Sequence, residues 1–116
     1  MSKMKKINVK AMEATHPEGT VKVDFRPLLA KNVDAPNFYL RTFDVFPGGH
    51  TFKHSHPWEH EMYVVKGRGK IVLESGEVKI GEGDAILLEP NEKHMVFNDS
   101  GTPLRLVCVI PKPQSD

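Results

Sequence analysis

The sequence predicts an all-β chain folded as one antiparallel sandwich or barrel, and three observations lead there. Nine prolines and nine glycines are spread through 116 residues instead of pooling in a linker. Between them lie short segments rich in Val, Ile, Phe and Tyr, which is the rhythm of strands and turns. No stretch sustains helical periodicity, so helix is expected to be minor.

Strands are expected over 20–26, 38–46, 50–56, 60–66, 70–74, 77–80, 84–89, 93–98 and 104–110. Turn chemistry separates them. Ser75-Gly76 is a two-residue hairpin signal, residues 81–83 supply positive φ, Pro90-Asn91 breaks a strand and residues 99–103 form a loop. Residues 1–19 lack a period and read as an arm or an added edge strand. Residues 1–34 are therefore taken as N-terminal arm and edge strands, ahead of a barrel over 35–112 within one domain. In the second strand Phe38, Leu40 and Phe46 share one parity and Tyr39, Phe43 and Val45 the other, so both faces are apolar. One face is expected to meet the core and the other to be covered by the arm or a second subunit, which makes a homodimer the expectation.

Charge and length exclude several classes. Sixteen Lys and Arg against fifteen Asp and Glu leave a net charge of +1, so there is no broad field for a polyanion and nucleic acid is not an expected partner. A chain of this size removes about two-thirds of its unfolded surface from water on folding, so neither metal nor disulfide is needed merely to fold. The single cysteine, Cys108, cannot form an intrachain disulfide, and a reducing compartment is the default. The N-terminus is basic but no apolar stretch follows it, so no membrane partner is expected and the location is read as cytoplasmic.

The histidines carry the chemistry. Of six, four (His50, His54, His56 and His60) fall within eleven residues, mid-chain and interleaved with other residue types, unlike a tag. On a strand alternate residues point the same way, placing His54 and His56 on one face about 7 Å apart, close enough to share an ion. Pro57 ends regular pairing and lets the chain turn so that His60, opening the next strand, adds a third imidazole. His60, Met62 and Val64 share one side of that strand, so if the apolar pair faces inward His60 does too, while Glu59 and Glu61 point away. His94 is the strong candidate for a fourth imidazole from a distant strand, since His16 lies beside Pro17 in the arm; His50 reads as a rim or packing residue. An HxH pair alone is weak evidence, because histidine pairs without metal are common. His60 and the strand pattern around it tip the balance toward an ion.

Other pocket candidates are Phe52, Trp58 and Cys108. Phe52 shares the parity of His54 and suits an apolar wall; Trp58 either covers the mouth or packs on the turn. Arg105 should seek solvent, which turns Leu106, Cys108 and Ile110 inward, and Cys108 reads as a small buried hydrophobe more readily than as a reactive thiol. Glu59 is either a partner for a ligand histidine or simply solvated. There is no GxSxG elbow and no phosphate-binding glycine loop before a helix.

Gly48, five residues, His54, His56, three residues, His60, six residues and Gly67 together resemble the first motif of the cupin superfamily. His60 occupies the slot usually held by Glu, which is similar to the four-histidine variant. Gly83, Pro90, His94 and Asn98 resemble the second motif, with Pro90 one residue late and Glu92 near the expected glycine. The phrase HSHPWEHEMYVVKGRG, with residues 35–38 and 89–92, resembles small dimeric manganese-binding cupins, and the likeness covers about 35–112. The resemblance implies a cupin jelly roll, a double-stranded β-helix barrel, with one divalent ion held by His54, His56, His60 and His94. It favours manganese, while iron, nickel, copper and zinc also suit imidazole.

Four neutral imidazoles leave a divalent ion its full charge. A six-coordinate ion would keep two open positions for substrate or dioxygen, whereas a tetrahedral one would be saturated and structural. The expected function is accordingly a metal-dependent enzyme acting on a small molecule, an oxygenase first and an isomerase or lyase second. The alternative is a non-catalytic cupin that binds a small molecule or holds a structural metal. No catalytic residue is assigned.

Overall fold

The computed structural model describes residues 3–113, and their apolar alternation becomes eight strands: β1 (Val21–Leu29), β2 (Phe38–His50), β3 (His60–Lys66), β4 (Arg68–Leu73), β5 (Gly76–Gly81), β6 (Ala85–Leu88), β7 (His94–Phe97) and β8 (Leu104–Pro111). No α-helix occurs among the described residues; Val9–Ala11 and Lys31–Val33 form single 3-10 turns. Among the described residues no helix is long and apolar enough to cross a membrane.

All pairings are antiparallel, in the order β5-β4-β7-β2-β8-β3-β6, with β1 added on β2. The long strand β2 makes the curl possible. Its first part pairs with β1 on one side and β8 on the other, and beyond a register shift His50 pairs with Phe97 of β7. Pro47-Gly48-Gly49 forms the corner: Gly48 takes φ +81, and a side chain on Gly49 would collide with the Val21 carbonyl. One strand thus belongs to both halves of a jelly roll and brings β7 round to face β3.

The core fills the curl. Strand β8 alternates buried and half-buried residues along its length, with Leu104, Leu106, Cys108 and Ile110 inward. Val45, Val64, Ile71 and Val96 meet them from the other strands, and burying each such side chain stabilises the fold by about 1.5–3 kcal/mol.

Three expectations need correction. Residues 50–56 do not form a separate strand: β2 runs on to His50, and beyond it the only pairing is an isolated bridge between His54 and His94. The physical reason is local. The carbonyls of Thr51 and Phe52 accept from the side chains of His50 and His54. The hairpin after β4 turns at Glu74-Ser75, with Leu73 and Gly76 as its closing pair, one residue earlier than Ser75-Gly76 suggested. The second face of β2 is not a bare apolar surface either. It carries Asp44, ion-paired to Arg26 of β1 and Arg105 of β8, while the arm pairs Thr15 with Phe25 along β1. Phe38 remains 68% exposed.

Candidate metal centre

Backbone pairing builds the centre of the site. The His54 and His94 N–H groups donate to each other's carbonyls at 3.2 and 3.0 Å, joining the loop after β2 to the first residue of β7. Their rings then lie 4.8 Å apart, and His56 adds a third ring 5.0 Å from His54 and 5.5 Å from His94. One nitrogen from each of the three falls within 4.8 Å of the others.

Each of these rings is oriented by a main-chain carbonyl. Nδ1 of His54 meets the Phe52 oxygen at 3.1 Å, Nδ1 of His56 the Trp58 oxygen at 2.9 Å, and Nδ1 of His94 the Glu92 oxygen at 2.9 Å. A carbonyl can only accept, so in each pair Nδ1 carries the proton and Nε2 is left with a free lone pair. His94 Nε2 is buried without any hydrogen-bond partner. Burial lowers the pKa of His54 and of His94, which keeps both neutral as a cation ligand requires.

His60 comes in from β3, where His60, Met62 and Val64 are buried and Glu61 and Tyr63 are exposed. Its ring is 5.7 Å from His56 and 5.5 Å from His94, beside the group of three. Its Nε2, however, accepts from Arg41 Nη2 at 3.3 Å, while its Nδ1 is buried without a partner. Burial, then the nearby Arg41 charge, push His60 down to about 3. The expected ligand set therefore divides in the structure: His54, His56 and His94 are grouped, and His60 is their neighbour, turned to Arg41.

The surroundings are aromatic and apolar. Phe52 packs on His54 at 4.1 Å, and Trp58 stacks on His56 at 4.8 Å with the planes only 8° apart. Behind the rings lies a cavity of about 20 Å³ bordered by Phe43, Met62, Leu106 and Cys108, enough for one water-sized group. Cys108 is fully buried and its thiol is pushed up to about 12, so it lines the cavity as a neutral group. His50 bonds the Thr51 carbonyl, His16 lies in the arm against Val23 and Asp24, and Glu59 is exposed. A much larger concavity of about 340 Å³ lies on the outer face of β3, β6 and β8, away from the histidines.

Arg41 has no part in the sequence-based expectation. The available signal was parity: it shares the inward face of β2 with Phe43 and Val45.

The donors suit a divalent transition ion. Metal–imidazole bonds of about 2.0–2.1 Å put neighbouring nitrogens of a tetrahedral ion roughly 3.4 Å apart. The three rings, which already bring one nitrogen each within 4.8 Å of the others, would draw together to close on an ion, and the His94 Nε2 has no other partner to give up.

A curled jelly roll with three histidines grouped inside it defines a small β-barrel protein whose imidazoles suit a metal ion. The chain belongs to the cupin domain family, whose model matches residues 41–110. It is similar to the polyketide cyclase RemF from Streptomyces resistomycificus, at 30% identity over 97% of this chain and 82% of that one, with a TM-score of 0.87. It is also similar to the tetracenomycin polyketide synthase protein TcmJ of Streptomyces glaucescens, 24% identical over 94% of this chain and 75% of that protein. Ectoine synthase from P. lautus shares the fold at 23% identity, with a TM-score of 0.77 over 95% of this chain and 79% of that one.

Proposed function

We propose that this chain is a metal-dependent cyclase-type enzyme acting on a small poly-carbonyl compound. The observation that carries the reading is the set of three imidazoles whose Nδ1 protons are held by carbonyls, leaving their Nε2 lone pairs free, with one nitrogen of each ring within 4.8 Å of the others. The likeness to RemF, a polyketide cyclase, over 97% of this chain supplies the reaction class. His54, His56 and His94 hold the ion, and His60 joins them by releasing Arg41, giving the four-histidine set. Manganese is the proposed ion, with iron, nickel, copper and zinc as competitors. When bound, such an ion supplies Lewis-acid polarisation of a carbonyl oxygen.

The chain's own residues do the rest. Carbonyl-bound Nδ1 protons fix the rings so that no reorganisation is needed at the moment of reaction. Phe52 and Trp58 pack against ligand rings and limit water there. Ring closure joins an enol carbon to a carbonyl carbon and releases water, so it needs no oxidant. The competing reading is the dioxygenase expected from the sequence, which does need one.

Incubating metal-loaded protein with a linear tri-β-carbonyl ester under anaerobic conditions separates the two. Appearance of an aromatic ring-closed product that is lost in His94→Ala supports the cyclase. Product formed only with dioxygen uptake returns the chain to the oxygenases, and no metal-dependent turnover leaves the non-catalytic reading.

We further propose a homodimer. Tyr63 and Leu87, 50% and 54% exposed, border the outer concavity together with Val107 and Val109, and a second copy would cover them. Sedimentation of wild type against Tyr63→Glu tests this: the variant should run as a monomer.

A further inference from the structure

One charged side chain inside the barrel lacks a counter-ion. Arg41 sits between Pro27 of β1 and Cys108 of β8, with its guanidinium carbon 5.4 Å from the Phe43 ring and 5.8 Å from the Phe25 ring. It spends one N–H on neutral His60, and its Nε is buried with no partner. Arg26 and Arg105, in contrast, both reach the carboxylate of Asp44 on the outside of the sheet. Among the described residues no carboxylate pairs with Arg41, and none borders the cavity behind the histidines.

Placing a guanidinium in an apolar interior is costly unless it is paired. Aromatic faces attract the cation but do not neutralise it. A neutral imidazole accepts only one of its five N–H groups. Once a divalent ion is bound on the histidines, the interior holds two positive centres and no negative one.

We propose that Arg41 binds an anionic oxygen of the substrate, so that the barrel takes its small molecule as an enolate, phenolate or carboxylate and not as a neutral carbonyl compound. This rests on the metal-centre reading above and names its substrate class. Arginine suits the task better than lysine, because its planar fork stays charged when desolvated and can grip an oxygen with two parallel N–H groups. Arg41 does not itself border the cavity of about 20 Å³ behind the histidines; it touches His60, which does, so the anion is placed at the Arg41–His60 side of the site.

Calorimetric titration of the full chain, metal-free and metal-loaded, with acetylacetonate, benzoate and neutral benzamide tests the assignment. Wild type should bind at least one anion and discriminate against benzamide, and the preferred anion distinguishes an enolate from a carboxylate. Arg41→Gln should weaken that anion by about tenfold or more, the worth of one charge-assisted hydrogen bond, and Arg41→Lys should lose less. Equal anion affinity in Arg41→Gln and wild type overturns the proposal, as does a wild type that binds benzamide equally well. Should Arg41→Gln fail to fold, the Nε–H resonance of Arg41 in wild type decides: it moves on adding the anion if the proposal holds and stays in place if it does not. Metal content is measured on the same samples. A wild type that takes up no metal sinks the metal centre, while the metal-free titration still judges Arg41.

Discussion

His54 and His94 are joined through their main chains, each donating its N–H to the other's carbonyl, and this bridge sets their imidazoles 4.8 Å apart. Removing either ring leaves the bridge intact, so the two roles of these residues are separable. His54→Ala and His94→Ala are expected to fold and melt cooperatively but to lose metal. The loss should exceed the roughly 10–100-fold that removal of an outer hydrogen-bond partner costs. In wild type, metal at a hundredfold excess over its Kd should stabilise the fold by about 2.7 kcal/mol, and in the variants by close to nothing. Elemental analysis and melting curves with and without metal check both statements.

Acid should destabilise the metal-free protein. An unfolded chain takes up a proton on His60 near the ordinary value of 6.5, whereas the folded chain resists until about 3 because the ring is buried and Arg41 is close. Between those values the unfolded state binds more protons, so stability is complete above the unfolded value and falls as the pH falls. His54 and His94, also lowered by burial, act in the same direction. The unfolding free energy of chelator-treated protein, from urea titration, should therefore be lower at about pH 5 than at about pH 7.5 by on the order of a few kcal/mol, and His60→Gln should narrow the gap. Equal free energies at the two pH values would contradict the burial of a neutral His60.

What the sequence made legible was strand alternation. The pattern of HEMYVVK gave both ends of β3 and turned His60 inward, and the short apolar run at 104–110 gave β8 with Cys108 in the core. Less legible was anything decided by partners remote in the chain. Parity brings His60 inside but cannot say that its Nε2 meets Arg41 and not the other three rings. Charge alone sends Arg41 to solvent, and only closure of β1 and β8 on β2 wraps it in Phe25, Phe43 and Cys108. The strand expected over 50–56 failed where the Nδ1–H groups of His50 and His54 compete locally for the Thr51 and Phe52 carbonyls.

Asp44 should matter for stability and not for the metal. Its carboxylate accepts from Arg105 Nε at 2.6 Å, Arg105 Nη2 at 2.9 Å and Arg26 Nη1 at 3.1 Å, tying β1, β2 and β8 together on the face away from the cavity. Arg26 in turn holds the arm through the Met12 carbonyl. Asp44→Ala strands the Arg105 guanidinium and leaves Arg26 with Asp24 at 3.9 Å, and the cost should be about 2–3 kcal/mol, below that of a fully dry pair because the Arg105 side chain is 36% exposed. Urea unfolding measures the loss; metal stoichiometry on the same variant should equal that of wild type.

Trp58 offers a direct view of the site. It is the only tryptophan, and it stacks on His56 at 4.8 Å with near-parallel planes, while its carbonyl holds the Nδ1 proton of the same ring. An ion gripped by His56 Nε2 draws electron density from the imidazole and sits within a ring's width of the indole. Tryptophan emission should therefore change on metal addition, with strong quenching by paramagnetic manganese or copper and a smaller change with zinc. The change should saturate at the stoichiometry found by elemental analysis. Because the His56 ring both holds the ion and stacks on the indole, His56→Ala should lose most of the signal, and His50→Ala, whose ring bonds the Thr51 carbonyl instead, should leave it intact. Emission that ignores metal in wild type while elemental analysis finds a bound ion would place that ion somewhere other than at His56.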